Sequence, residues 1–135
     1  MRAWLEAALR ERPGACEITV RIVGEAESRR LNRDFRGVDR STNVLSFPYE
    51  PPPGLDETAV FLGDLVVCAP VVEAEADDQG ISREARYAHM IVHGALHLVG
   101  YDHGSNHEAV EMETLETEIL RRLGYPDPYC VADES

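Results

Sequence analysis

Phe61-Leu-Gly-Asp-Leu-Val-Val-Cys68 is apolar at every position except Gly63 and Asp64. A run of this kind fits a strand covered on both faces, so it predicts a strand through the interior of a sheet. On its N-terminal side, Pro51-Pro-Pro-Gly54 cannot continue a ladder and marks a loop. Before that loop, residues 43–47 read as another strand, closed by Pro48. On the C-terminal side, Pro70 suits the first turn of a helix that ends at Asp78-Gln-Gly80. Residues 16–23 alternate, with Ile18, Val20 and Ile22 on one face and Glu17, Thr19 and Arg21 on the other, the pattern of a half-buried strand.

The intervening segments carry helical spacing. Residues 3–10 place Trp4, Leu5, Ala8 and Leu9 together before Pro13-Gly14 stops the run. Residues 25–35 form a helix in which Ala26, Leu31 and Phe35 are expected to face the core and the arginines to face outward. Ser82 is a good N-cap for a helix reaching Leu98, with Gly100 as its stop. A last helix opens near Ser105 or Asn106, follows Met112, Leu115, Ile119, Leu120 and Leu123, and ends at Gly124 and Pro126. Mixed strands and helices predict an α/β (α+β-like) layer fold, a small mixed sheet covered by helices in one domain over residues 1–135, with the strand order open.

Composition narrows the class. At 135 residues and 44% apolar, the chain can bury an ordinary core without a disulfide scaffold. Cys16, Cys68 and Cys130 are odd in number and widely spaced, and read as reduced thiols. Its longest apolar stretch, residues 66–72, is interrupted by Pro70 and falls short of the ~20 residues needed to cross a bilayer. Glu6, Arg10 and Glu11 come too early for a signal-peptide apolar region, so a cytoplasmic location is expected. The net charge of -12 works against a polyanionic partner, yet residues 29–40 hold Arg29, Arg30, Arg33, Arg36 and Arg40 against only Asp34 and Asp39. Guanidinium groups clustered in this way suit phosphate, which they bind bidentately.

The chemistry concentrates in His89-Met-Ile-Val-His93-Gly-Ala-Leu-His97-Leu-Val-Gly100-Tyr-Asp102-His103. Four residues apart on a helix, His93 and His97 project about 40° apart and can reach one ion. Gly100 lets the chain turn back and bring His103 to the same point. Three imidazoles leave a coordination position open, as catalytic zinc sites do. His89 is expected to orient a ligand or fill the core, Asp102 to orient an imidazole or hold its own turn, and His107 to be solvated. In zinc proteases of this spacing a Glu general base follows the first histidine; here that position is Gly94, which speaks against peptide hydrolysis. A divalent ion held by neutral ligands can lower the pKa of a bound water towards ~7 and polarise a phosphoryl oxygen, which favours phosphodiester chemistry.

His93-Gly-Ala-Leu-His97-Leu-Val-Gly-Tyr-Asp-His103 resembles the signature of the YbeY family, the bacterial endoribonucleases of ribosomal RNA maturation. Leu31-Asn-Arg-Asp-Phe-Arg36, followed by Asp39 and Thr42-Asn-Val-Leu-Ser-Phe-Pro48, is similar to a second block of that family, and Leu62-Gly-Asp64-Leu-Val-Val-Cys68 to a third. Met112-Glu-Thr-Leu-Glu-Thr-Glu-Ile-Leu-Arg-Arg-Leu-Gly124 fits as well. The resemblance implies one zinc ion on His93, His97 and His103, with Arg36 as the functional arginine holding the scissile phosphate or offsetting transition-state charge. The arginine window itself does not choose among its members. Asn43 and Ser46 would hold a strand and turn in place, and Asp64, a polar residue in an apolar strand, is either hydrogen-bonded inside or exposed for a partner, the resemblance favouring an interaction.

The resemblance further implies a single-strand endoribonuclease of 16S ribosomal RNA 3′-end maturation and ribosome quality control. Its partners would be ribosomal RNA and a small-subunit ribosomal protein or assembly GTPase, with neither membrane nor DNA involved. Two alternatives stand beside it: a non-catalytic assembly factor braced by its metal, and a metalloprotease-like hydrolase.

Overall fold

A computed structural model describes residues 2–9, 17–49, 61–101 and 105–128. Along the chain run α1 (Arg2–Ala8), β1 (Glu17–Val23), α2 (Glu25–Arg36), β2 (Val44–Pro48), β3 (Phe61–Cys68), α3 (Ala69–Gln79), α4 (Arg83–Leu98) and α5 (Asn106–Arg122). The sheet order is β1-β3-β2, with β1 parallel and β2 antiparallel to β3. The apolar run at 61–68 is therefore the central strand, and its lack of alternation follows from cover on both faces. Leu65 and Val67 pack with Met90 and Ile91 of α4, whereas Val66 and Cys68 pack with Val23, Leu45 and Leu31 of α2. Cys68 is buried and free, while Cys16 and Cys130 lie outside the described residues.

Gly63 sits where β1 pairing skips Leu62, with Phe61 opposite Glu17 and Gly63 opposite Ile18. Its φ of 146° and the approach of the Phe47 carbonyl, 2.2 Å from where a Cβ would stand, exclude any side chain. Asp64 is half-buried on the same strand, in register with Thr19 and Phe47.

Because α4 has the sheet on one side, its other stripe (Ala88, Val92, Leu96) must also be covered. It packs against Met112, Ile119 and Leu120 of α5, with Trp4 of α1 at the margin. The Ser82 hydroxyl accepts from the Ala85 N–H to start α4, and the Ser105 hydroxyl accepts from Glu108 N–H to start α5. Among the described residues no helix is long and apolar enough to cross a membrane.

In α2 the buried face differs from the expected one. Ala26 is exposed, Phe35 is 68% exposed, and the buried residues are Ser28 and Asn32. The reason is polar. Ser28 donates to the Thr42 carbonyl (3.1 Å) and accepts from the Thr42 N–H (3.0 Å), and the Asn32 amide donates to the Arg40 carbonyl (2.9 Å). These contacts satisfy the backbone of the loop into β2, so two hydrophilic side chains take the inner face while Leu31 alone joins the apolar layer. Ile22, assigned to the inner face of β1, is also 49% exposed, on a strand at the sheet edge.

Candidate active site

Histidines 89, 93 and 97 fall on one stripe of α4, between the stripe that meets the sheet and the stripe that meets α5. His89 is buried, and His93 and His97 are half-buried. The facing Nε2 atoms of His93 and His97 are 3.1 Å apart, with ring centroids at 4.6 Å. Behind them lies Glu116 of α5, wholly buried. One of its oxygens is 2.7 Å from Nε2 of His89 and the other 2.8 Å from Nδ1 of His93. His89, His93 and Glu116 thus place three ligand atoms within 4.8 Å of one another, a group that could hold a metal ion.

Further back, Nδ1 of His89 is 3.1 Å from Arg86, whose guanidinium donates to Glu75 of α3 at 2.8 Å. Glu75 in turn accepts from the Asn43 amide at 3.2 Å.

In front of the histidines opens a cleft of about 550 Å³, lined among others by Arg36, Asn43, Ser46, His93, His97 and Tyr101. Three elements converge here: the C-terminus of α2, edge strand β2, and the last two turns of α4. Gly37, with φ 73°, turns the chain out of α2 directly after Arg36. The other helix arginines are committed: Arg29 to Asp39 at 2.8 Å, Arg30 to Glu27 at 3.7 Å and Arg33 to Asp34 at 3.3 Å. Among the described residues no carboxylate pairs with Arg36, which is exposed in the cleft wall.

Gly94 lies against the sheet. A Cβ there would stand 2.7 Å from Leu65 Cδ2 and 3.3 Å from Ser46 Oγ, and its carbonyl accepts the Ser46 hydroxyl at 3.2 Å. Position 94 therefore has no room for a general base.

Residues 1–124 match the family described as endoribonuclease YbeY. The chain belongs to that family. YbeY proteins are nucleases of ribosomal RNA processing. The solution structure of TM1509 from Thermotoga maritima is similar at 29% identity and a TM-score of 0.58, covering 96% of this chain and 88% of that one. The fold is shared across both chains.

Against this YbeY scaffold, the residues singled out in the sequence are placed as follows. His93, His97 and Arg36 share the cleft. His103 and Asp102 lie outside the described residues, which resume at Ser105 after Tyr101 in the cleft wall. His107 is solvated, 3.8 Å from Glu111. Asn43 and Ser46 do hold structure: Asn43 Oδ1 accepts the Val44 N–H at 2.7 Å, and Ser46 ties β2 to α4.

Glu116, Glu75 and Arg86 were not singled out. A signal for Glu116 existed, because it occupies the buried stripe of α5 between Met112 and Ile119-Leu120, where an unpaired carboxylate does not belong.

Proposed function

We propose that the protein is a zinc-dependent endoribonuclease that cuts single-stranded RNA at the 3′ end of 16S ribosomal RNA during maturation and ribosome quality control. The observation that carries this reading is the cleft that joins two convergent imidazole nitrogens to an arginine with no carboxylate partner among the described residues. Metal–nitrogen bonds of about 2.0–2.1 Å at tetrahedral angles put two ligand nitrogens about 3.3 Å apart. The 3.1 Å between the Nε2 atoms of His93 and His97 fits that requirement. His103, two residues beyond Tyr101, would complete a three-imidazole set with an open position. Imidazole suits zinc, and when bound such an ion supplies Lewis acidity towards a phosphoryl oxygen or a water. Placement of the ion among His89, His93 and Glu116 instead would require breaking the 2.7 and 2.8 Å contacts that join them.

Arg36 would clamp the scissile phosphate and offset the negative charge that grows on it. A cleft of about 550 Å³ is in the range that takes a single small ligand, so it suits one nucleotide of a flexible strand. Gly94 speaks against peptide hydrolysis. The net charge of -12 disfavours unassisted capture of RNA, which supports delivery by a small-subunit ribosomal protein or an assembly GTPase in the cytoplasm.

The test is cleavage of a precursor 16S RNA 3′ end by zinc-loaded wild type, Arg36→Ala and His93→Ala. Each variant is expected to lose about 10²–10³-fold in rate, the scale for removing one preorganised electrostatic group. Undiminished cutting by both variants would refute the proposal.

A further inference from the structure

Arg86, His89, Glu116 and His93 form one chain of direct contacts; its first member sets the direction of the His89 contacts, and an ionised Glu116 passes that direction on to His93. A guanidinium only donates. Nδ1 of His89, 3.1 Å from Arg86 Nη1, must therefore accept. A neutral His89 then carries its proton on Nε2 and donates it to Glu116 Oε1 at 2.7 Å. With Glu116 ionised, as the inference requires, both of its oxygens accept, and Nδ1–H of His93 donates to Oε2 at 2.8 Å. That leaves the His93 lone pair on Nε2, the atom that faces His97 at 3.1 Å. Arg86 cannot reverse the chain by swinging away, because it is 11% exposed and held by Glu75, which donor contacts from Asn43 hold in turn.

We infer that Glu116 is a positioning residue for the metal ligand His93. With Arg86 and His89 behind it, it locks the tautomer whose Nε2 lone pair points into the cleft. The inference rests on the metal reading above for the ion itself, whereas the tautomer is a property of the metal-free chain. Glu116 is wholly buried on a helix that otherwise contributes apolar packing, and it spends both oxygens on the two histidines. A ligand imidazole backed by a carboxylate is fixed in orientation and made more basic.

The discriminating variant is Glu116→Gln, which preserves size and the number of hydrogen bonds. Its amide oxygen still accepts from His89, but its NH₂ must donate to Nδ1 of His93, which drives the His93 proton onto Nε2 and removes the lone pair. A purely structural role would leave that proton where it was. Nitrogen-resolved NMR of metal-free wild type is expected to show His93 protonated at Nδ1 and His89 at Nε2, and Glu116→Gln to show His93 protonated at Nε2. Competition with a chromophoric chelator is expected to show zinc affinity reduced about 10–100-fold in the variant.

A wild-type His93 protonated at Nε2, or a variant that holds zinc as tightly as wild type, would overturn the inference. If Glu116→Gln does not fold, the wild-type spectrum decides alone. Failure of wild type to take up zinc while His93 shows the expected tautomer would count against the metal reading and leave the Glu116–His93 lock standing.

Discussion

Gly94 is where α4 comes closest to the sheet, and its missing side chain is a packing requirement. The local sequence exposes only half of this: the glycine is visible as the absence of a general base, but the reason for it lies on strands distant in sequence. With Leu65 Cδ2 at 2.7 Å and Val44 Cγ2 and Ser46 Oγ at 3.3 Å from the site of a Cβ, even a methyl group must displace the fully buried Leu65 side chain. Gly94→Ala is expected to lower stability by about 1–3 kcal/mol through overpacking, read as a fall in thermal midpoint. Wild-type stability in that variant would mean that the helix does not seat on Leu65 as described. Arg36 shows the same limit of local reading. Five arginines in a short window are equivalent as text; the ion pairs of Arg29, Arg30 and Arg33 with nearby carboxylates set those three aside, and of the other two only Arg36 lines the cleft.

Among the elements, those with a strong period or clear caps were legible. The central strand at 61–68 and the capped start of α4 after Ser82 stand where composition and turn chemistry put them. α2 was legible as a helix but not in its orientation, because its inner face serves a loop backbone through Ser28 and Asn32 instead of an apolar layer. α5 was legible in its apolar stripe, yet the carboxylate within that stripe makes sense only once α4 lies against it.

Packing between α3 and α4 also creates a measurable titration. Burial, and then the hydrogen bond to the Glu73 carboxylate at 2.8 Å, pushes the Tyr87 phenol up to about 12. The fold thus favours the neutral phenol: the contribution is fully present below the ordinary tyrosine value near 10 and is lost as pH rises through about 12. Alkaline unfolding of wild type compared with Tyr87→Phe is expected to show this loss over that window in wild type only. Identical alkaline profiles would contradict it.

At the scale of the whole molecule, the order β1-β3-β2 was legible only in part: the apolar run at 61–68 pointed to an interior strand, but the sense in which β1 and β2 pair beside it depends on contacts across the chain and not on any local run. That order matters for function. It leaves β2 at the sheet edge, where Asn43 and Ser46 can form one wall of the cleft, while α4 on the sheet face brings His93 and His97 to the other. Most of the negative charge lies outside residues 29–40, so the cleft wall that carries Arg36 is the part of the surface suited to phosphate.

The proposed function requires a single divalent ion on His93, His97 and His103 with one position left for substrate. X-ray absorption at the zinc edge of the zinc-loaded protein reads that coordination shell directly. The expected result is three imidazole nitrogens at about 2.0–2.1 Å with one light oxygen donor. A shell of two imidazoles and a carboxylate, as His89, His93 and Glu116 would supply, or one containing sulfur, would contradict it.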